Sequence, residues 1–523
     1  MRAALRPLLP AVALAVAGAC GAPPSSLSGG VPDASSPTAP TPGTAGNNGG
    51  SAPKDPTPSE PEAPLGHVRT APGECGLDIG DIALYQGVKT LLVRDGAEVR
   101  KHAVDVVQRR PGLLRVFVKA GSGFAPGQVQ ASLTLSGRDG KKVLVAERKI
   151  TGSSTDADLE STLNFDVPAG AIDDKTSFAV ELTAPAACAQ VRFPEEKAAP
   201  MGARQVGKLR IKLVPIRYVA DGSNRLPDTS EAQLALLRAR LQAMYPVESV
   251  ELTVREPVKT TMTVSGAPQS WDALLDSMRD LRAADNPDSD IYYFGLISPA
   301  ENLAAYCPDQ CYMGLSFRTD RAASKYQAGV GLGFSGEIAG TVLAHELGHM
   351  AGRKHAPCKV STYLDPMYPS PEGKTGSWGW DMRSHALLAP DTTDLMGYCN
   401  PTWISDYTYR GILDRMIEVD SSGKSATTQS LSSEVRVLMV GGGQARWGLD
   451  ASDGGEGAAE AATIRDEAGA VVATVEVRRL DVGEGDRSVV LVPQPQPGWA
   501  TIEVAGAAPV RFDEVSAGSA LER

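Results

Sequence analysis

Histidine is scarce in this chain, with six among 523 residues. Clusters of basic residues are lacking as well. Lys and Arg number 51 against 62 Asp and Glu, a formal charge of −11, which repels phosphate backbones and argues against nucleic acid as a partner. Long apolar runs are missing at the N-terminus, where Leu8 to Val16 is broken by Pro10 and is too short to span a bilayer as a helix. Behind Arg2 and Arg6, this run reads instead as an export signal over 1–20.

The end of the signal has two readings. "AVAGAC" ends at Cys20 and resembles a bacterial lipoprotein cleavage box, with Cys20 acylated and holding the chain to a membrane, although Ala17 stands where Leu is usual. Ala17-Gly18-Ala19 also fits an ordinary A-x-A cleavage site. Parity favours the lipid: seven Cys are odd for an exported chain, and removing Cys20 leaves six for disulfides in an oxidising compartment. The chain is therefore expected in the cell envelope or outside the cell.

Residues 21–65 are Pro, Ser, Thr, Gly and Ala with almost no large apolar side chains. Such a stretch buries too little surface to offset its ordering entropy and should be an extended tether. Residues 66–195 hold short strand-like runs such as "GLLRVFVKA" and "TSFAVELTA" between turn residues, which predicts an antiparallel β-sandwich. Cys75 and Cys188 bracket it and would staple its ends. Nothing in it has catalytic spacing, so it is expected to be a structural or binding module, with a removable pro-segment as the rival reading.

From 205 to 420 the pattern becomes strand–helix alternation. "KLRIKLVPIRYV", "VESVELTV", "DIYYFGLI" and "AGVGLGF" read as strands. Helices are expected at "TSEAQLALLRARLQAMYP" with Thr229 or Ser230 as N-cap, and at "SWDALLDSMRDLRAAD" capped by Ser270. Further helices are expected at "GEIAGTVLAHELGHMAG" and "DYTYRGILDRMIEV". The alternation predicts an α/β layer with a mainly parallel sheet. Residues 430–515 return to β-type runs and predict a small C-terminal β domain.

Three of the six histidines fall in "HELGHMAGRKH", His345 to His355. His345 and His349 are four residues apart, so on a helix both imidazoles leave one face and can hold one ion. Glu346 lies about 100° around the axis, beside the metal without ligating it, where a carboxylate can act as general base and then general acid. Gly352 can take positive φ and end the helix, which lets His355 return as a third ligand. Three imidazoles and a water are an open catalytic zinc site.

The H-E-x-x-H-x-x-G-x-x-H spacing at His345, Glu346, His349, Gly352 and His355 resembles the metzincin zinc endopeptidases. The resemblance covers 205–420. It implies a methionine turn under the metal, matched by Met396 in "TDLMGYC" 41 residues after His355. Tyr398, in the M-x-Y position, is then a candidate stabiliser of the tetrahedral transition state, against the alternative of a buried tyrosine with a satisfied hydroxyl. "HAPC", "GSWGWDMRSHALL" and "DLMGYCNPTWISDYTY" are similar to secreted bacterial metzincins of the group that includes mucin-cleaving enzymes.

In such a fold Cys358 and Cys399 would come close and bridge the two catalytic segments, and Cys307 and Cys311 would then pair locally, one choice among the fifteen that six Cys allow. The resemblance also makes "AGVGLGF" the rim strand on which an extended substrate lies. His385 is expected to be no ligand, and Trp378 and Trp380 either line a subsite or pack a long loop. The expectation is a multidomain chain, an α/β (α+β) zinc peptidase domain between a β-sandwich and a small β domain, acting on proteins or glycoproteins. The alternative is a non-catalytic adhesin or glycan-binding protein that keeps the scaffold.

Overall fold

The computed structural model describes residues 76–522 apart from 184–190, 309–310, 320–323, 423–433, 453–454 and 517. The expected signal and tether, Cys20, and the Cys75–Cys188 staple lie outside the described residues. No helix among the described residues is long and apolar enough to cross a membrane.

The N-terminal strands form two antiparallel sheets. One is built around Leu77–Tyr85 and Gly112–Ala120, the other around Gly127–Gly137, Gly140–Ile150 and Ser177–Thr183. In Gly127–Gly137 the buried residues alternate, with Val129, Ala131, Leu133 and Leu135 inside, the period-two pattern of a strand with one face in a core. Those side chains meet Leu84, Leu114, Val116 and Phe165 of the facing sheet.

Next comes a mixed sheet in which Leu209–Tyr218, Val250–Val254, Ile291–Ile297 and Ala328–Leu332 run parallel, and Gly314–Ser316 pairs antiparallel to Ala328–Leu332 as the edge. Ala328–Leu332 is thus interior, hydrogen-bonded on both sides, and the rim is Gly314–Ser316. All five residues of Ala328–Leu332 are buried, as expected of a strand covered on both faces.

Along Ile291–Ile297, Tyr292, Phe294 and Leu296 face one core, and Tyr293 and Ile297 face another. The first core takes Leu237 and Leu241 of helix Glu231–Met244 and Leu343 and Leu347 of helix Glu337–Met350. The second takes Trp271 and Met278 of helix Pro268–Asp285. Ser230 caps the first helix through Gln233 N–H at 3.4 Å. Ser270 is not a cap: the second helix starts earlier, at Pro268, whose missing N–H and fixed φ suit the first helical position.

After helix Asp406–Ser422, the remaining strands form an eight-stranded antiparallel sheet. One of its faces joins the second core through Val435, Val437, Met439, Leu480, Val482, Val489 and Leu491, in contact with the cluster of Trp271, Phe317 and Tyr326. The other face has its own core around Trp447, Ile464, Val477 and Ile502. The C-terminal sheet is therefore packed continuously with the mixed-sheet region.

Trp380 is buried with Ala83, Tyr85, Leu113 and Phe117 of the N-terminal sheets. Trp380 N–H donates to Gly87 O at 3.0 Å and Lys89 N–H to Trp378 O at 2.9 Å. Both tryptophans pack against the N-terminal sheet, Trp380 buried and Trp378 partly so.

Candidate metal centre

The helix Glu337–Met350 carries His345 and His349 one turn apart. Gly352 has φ +84°, its N–H is 2.8 Å from His349 O, and the chain reverses there. His355 is then held by its backbone: its N–H donates to Tyr363 O at 3.1 Å, and its carbonyl accepts from Asp365 N–H at 2.9 Å. The reversal is what brings a residue beyond the helix back to the same point as two residues within it.

The Nδ1 atoms lie 2.7 Å from Leu395 O (His345), 2.8 Å from Arg353 O (His349) and 3.1 Å from Thr362 O (His355). A carbonyl only accepts, so each Nδ1 carries a hydrogen, and in the neutral ring Nε2 is the nitrogen left to bind a metal. The Nε2 atoms converge: His349 is 3.1 Å from His345 and 3.2 Å from His355. Nitrogen donors on one tetrahedral ion stand about 3.3 Å apart, given bonds of roughly 2.0–2.1 Å. The set therefore fits a metal, with its outer hydrogen bonds already made.

A fourth donor comes from far along the chain. Glu484, in the turn between strands Val471–Asp481 and Ser488–Pro493, places Oε1 at 3.2 Å from His345 Nε2, 3.4 Å from His355 Nε2 and 3.9 Å from His349 Nε2. The four donor atoms lie within 4.8 Å of one another and together could hold a metal ion. Burial opposes a charge on Glu484, but hydrogen bonds from the three imidazoles outweigh it and hold its pKa well below the usual carboxylate range. Burial likewise opposes a charge on His345, yet the hydrogen bond and charge of Glu484 pull its pKa up to about 9. His349, wholly buried, is depressed to about 3 by desolvation and by the neighbouring imidazoles.

Glu346 is 2 % exposed and lies between the helix and the rim strand. Ser316 Oγ donates to its Oε2 at 2.7 Å, and a side chain at Gly314 would collide with its Oε1. Burial, and after it the charge of Glu484, raises its pKa. Met396 is fully buried below the helix, with its sulfur against Gly348, where any Cβ would clash. Asp394 fixes this turn by accepting from Met396 N–H at 2.8 Å and Ser405 N–H at 2.9 Å. Cys358–Cys399 ties the segment after His355 to the segment after Met396, and Cys307–Cys311 closes a local loop.

Tyr398 keeps 45 % of its surface exposed while its hydroxyl donates to Glu484 Oε2 and lies 3.4 Å from His355 Nε2. Burial of the hydroxyl and the carboxylate beside it push its pKa far up. His385 stays away from the centre, with its ring 5.8 Å from that of Trp380.

Three participants were not legible as site residues: Glu484, Ser316 and Tyr363, whose ring is 6.3 Å from His355. The only trace of Glu484 is its flanking pair Gly483 and Gly485, a turn signal inside a β-rich stretch. No protein-family model and no curated protein matches the chain.

Proposed function

We propose that the chain is an exported zinc endopeptidase that cuts extracellular proteins, glycoproteins among them. The observation that carries this reading is the convergence of three imidazole Nε2 atoms beside the buried carboxyl of Glu346. His345, His349 and His355 would hold the zinc. When bound, zinc supplies Lewis acidity for the scissile carbonyl and makes a water acidic near neutral pH.

The rest of the chemistry belongs to side chains. Glu346 takes the proton of the attacking water and passes it to the leaving amine. A carboxyl whose pKa is raised by burial holds that proton readily, and the Ser316 hydroxyl keeps it aimed. Tyr398 donates to the developing oxyanion from the position at which it meets Glu484. Met396 and Gly348 keep the floor under the histidines rigid. Two disulfides suit an oxidising compartment, and acylation of Cys20 would tether the enzyme to a membrane.

A second reading has a specific observation behind it. Glu484 brings the donors to four, and a closed four-ligand site is typical of structural metal. Under that reading the chain is an adhesin or glycan-binding protein on a zinc scaffold. The zinc-loaded Glu484→Ala chain, incubated with mixed proteins and glycoproteins, decides between them. Cleavage that stops on chelation, and stops in Glu346→Gln/Glu484→Ala with zinc retained, supports the peptidase; no cleavage by any zinc-loaded form supports the binding protein.

A further inference from the structure

Glu484 does not reach the centre alone. The segment before it runs antiparallel along the rim: Arg318 N–H donates to Asp481 O at 3.0 Å, Gly483 N–H donates to Ser316 O at 2.8 Å, and Val482 is bridged to Phe317. Edge strands offer unpaired N–H and C=O groups to any extended peptide, and this is how a substrate strand is held by β-augmentation. Here the chain's own residues have taken such groups at the C-terminal end of the rim, from Ser316 to Arg318. Gly483 lies so close to the His349 ring that a Cβ would collide with it.

The side chain of Asp481 is also received. Its Oδ2 accepts from Arg318 Nη2 at 2.9 Å and from the Tyr363 hydroxyl at 2.7 Å, and Arg318 Nε donates to that same hydroxyl. Lys354 lies over the Tyr363 ring at 5.4 Å. These contacts hold the pKa of Asp481 down although burial opposes it. Beyond Glu484, Arg487 grips Asp272 of helix Pro268–Asp285 with two hydrogen bonds, both side chains being buried. Leu449 N–H donates to Asp276 Oδ2 of that helix at 2.7 Å. The C-terminal sheet thus presses one turn against the three histidines and fastens it on both sides.

We propose that Asp481–Glu484 is an internal pseudosubstrate. It occupies the rim, supplies the metal's fourth ligand, and displays at Arg318 and Tyr363 a subsite for an acidic side chain of the true substrate. The folded chain is then latent until the turn withdraws. The substrate part of this inference rests on the peptidase reading; the occlusion part does not.

The test uses the full zinc-loaded chain and three variants. Glu484→Gln removes the ligand with little change of shape. Gly483→Ala places a methyl against His349 and expels the turn while keeping the carboxylate. Gly483→Ala/Arg318→Ala adds the loss of the subsite. The first readout is the rate at which a chelator strips zinc. Glu484→Gln and Gly483→Ala should lose zinc at least about tenfold faster than the parent chain, the scale on which a ligand or its support alters metal affinity. Equal rates in all three overturn the occlusion whatever the activity.

The second readout is cleavage of a positional peptide library. Gly483→Ala should cut at least about tenfold faster than the parent chain. It should also prefer Asp or Glu over Asn or Gln at one position, by about tenfold, the factor that roughly 1.4 kcal/mol of binding supplies. That preference should vanish with Arg318→Ala. Fast zinc loss with cleavage no faster than the parent's overturns latency. Faster cleavage without an acidic preference, or with one that survives Arg318→Ala, overturns the subsite. Fast zinc loss with no cleavage by any form overturns the peptidase reading and the substrate claim with it.

Discussion

Two β modules grip the mixed-sheet region, each with an arginine, fully buried in one case and partly buried in the other. Arg110, in the loop before strand Gly112–Ala120, donates to Ala243 O at 3.1 Å and Tyr245 O at 2.5 Å, where helix Glu231–Met244 ends. Arg487 of the C-terminal sheet pairs with Asp272. The difference lies in what each module reaches next. The N-terminal module goes on to Trp380 and to Trp403, whose indole N–H donates to Gly87 O at 2.7 Å. The C-terminal module goes on to the rim strand and the three histidines. The two docked modules thus lead to a packed tryptophan pair in one case and to the histidine cluster in the other.

The sharpest way to test the cleft side is to silence its chemistry. Glu346→Gln, made in the Glu484→Ala background, should lower kcat/KM by about 10²–10⁴-fold with zinc content unchanged, the usual worth of a general base. Arg110→Ala strands several buried carbonyls and should cost about 2–4 kcal/mol in denaturant unfolding, with the rate of zinc stripping unaltered. Arg487→Ala should do the reverse in emphasis, with zinc stripping faster because the turn is released. If both arginine variants strip alike, the comparison between the modules breaks.

A smaller effect is carried by pH. In the metal-free chain His345 is pulled up to about 9 by Glu484, after burial has opposed it, so it is protonated at neutral pH. Zinc needs the neutral ring, and each unit of pH gained between 7 and 9 should therefore raise apparent zinc affinity by up to about tenfold, levelling above 9. Titration calorimetry in buffers of different ionisation enthalpy should register the released proton, and Glu484→Gln should move the dependence to lower pH. The smallest effect is expected of His385→Ala, about 1 kcal/mol or less from loss of its edge contact with Trp380, with no change in bound zinc.

The sequence carried the histidine cluster because its geometry is local: eleven residues and one helix end determine where three imidazoles meet. The strands of the two N-terminal sheets and the parallel strands of the mixed sheet were legible for the same reason, since alternation and buried runs are written along the chain. Glu484 was not, because it lies 129 residues beyond His355 and is delivered by the packing of Val482, Val489 and Leu491 on the second core. The rim was misplaced to Ala328–Leu332 because the true edge, Gly314–Ser316, is three residues long and has no readable period. The wholly buried character of Ala328–Leu332 was the available sign that it is interior. Ser270 failed as a cap because Pro268, two residues earlier, starts the helix without one.

The central claim is that a turn of the C-terminal sheet closes the metal centre. X-ray absorption at the zinc edge of the intact chain tests it most directly. Three imidazole nitrogens and a carboxylate oxygen are predicted, with the carboxylate replaced by water in Glu484→Gln. Identical spectra for the two proteins, both with water in the fourth position, would contradict it.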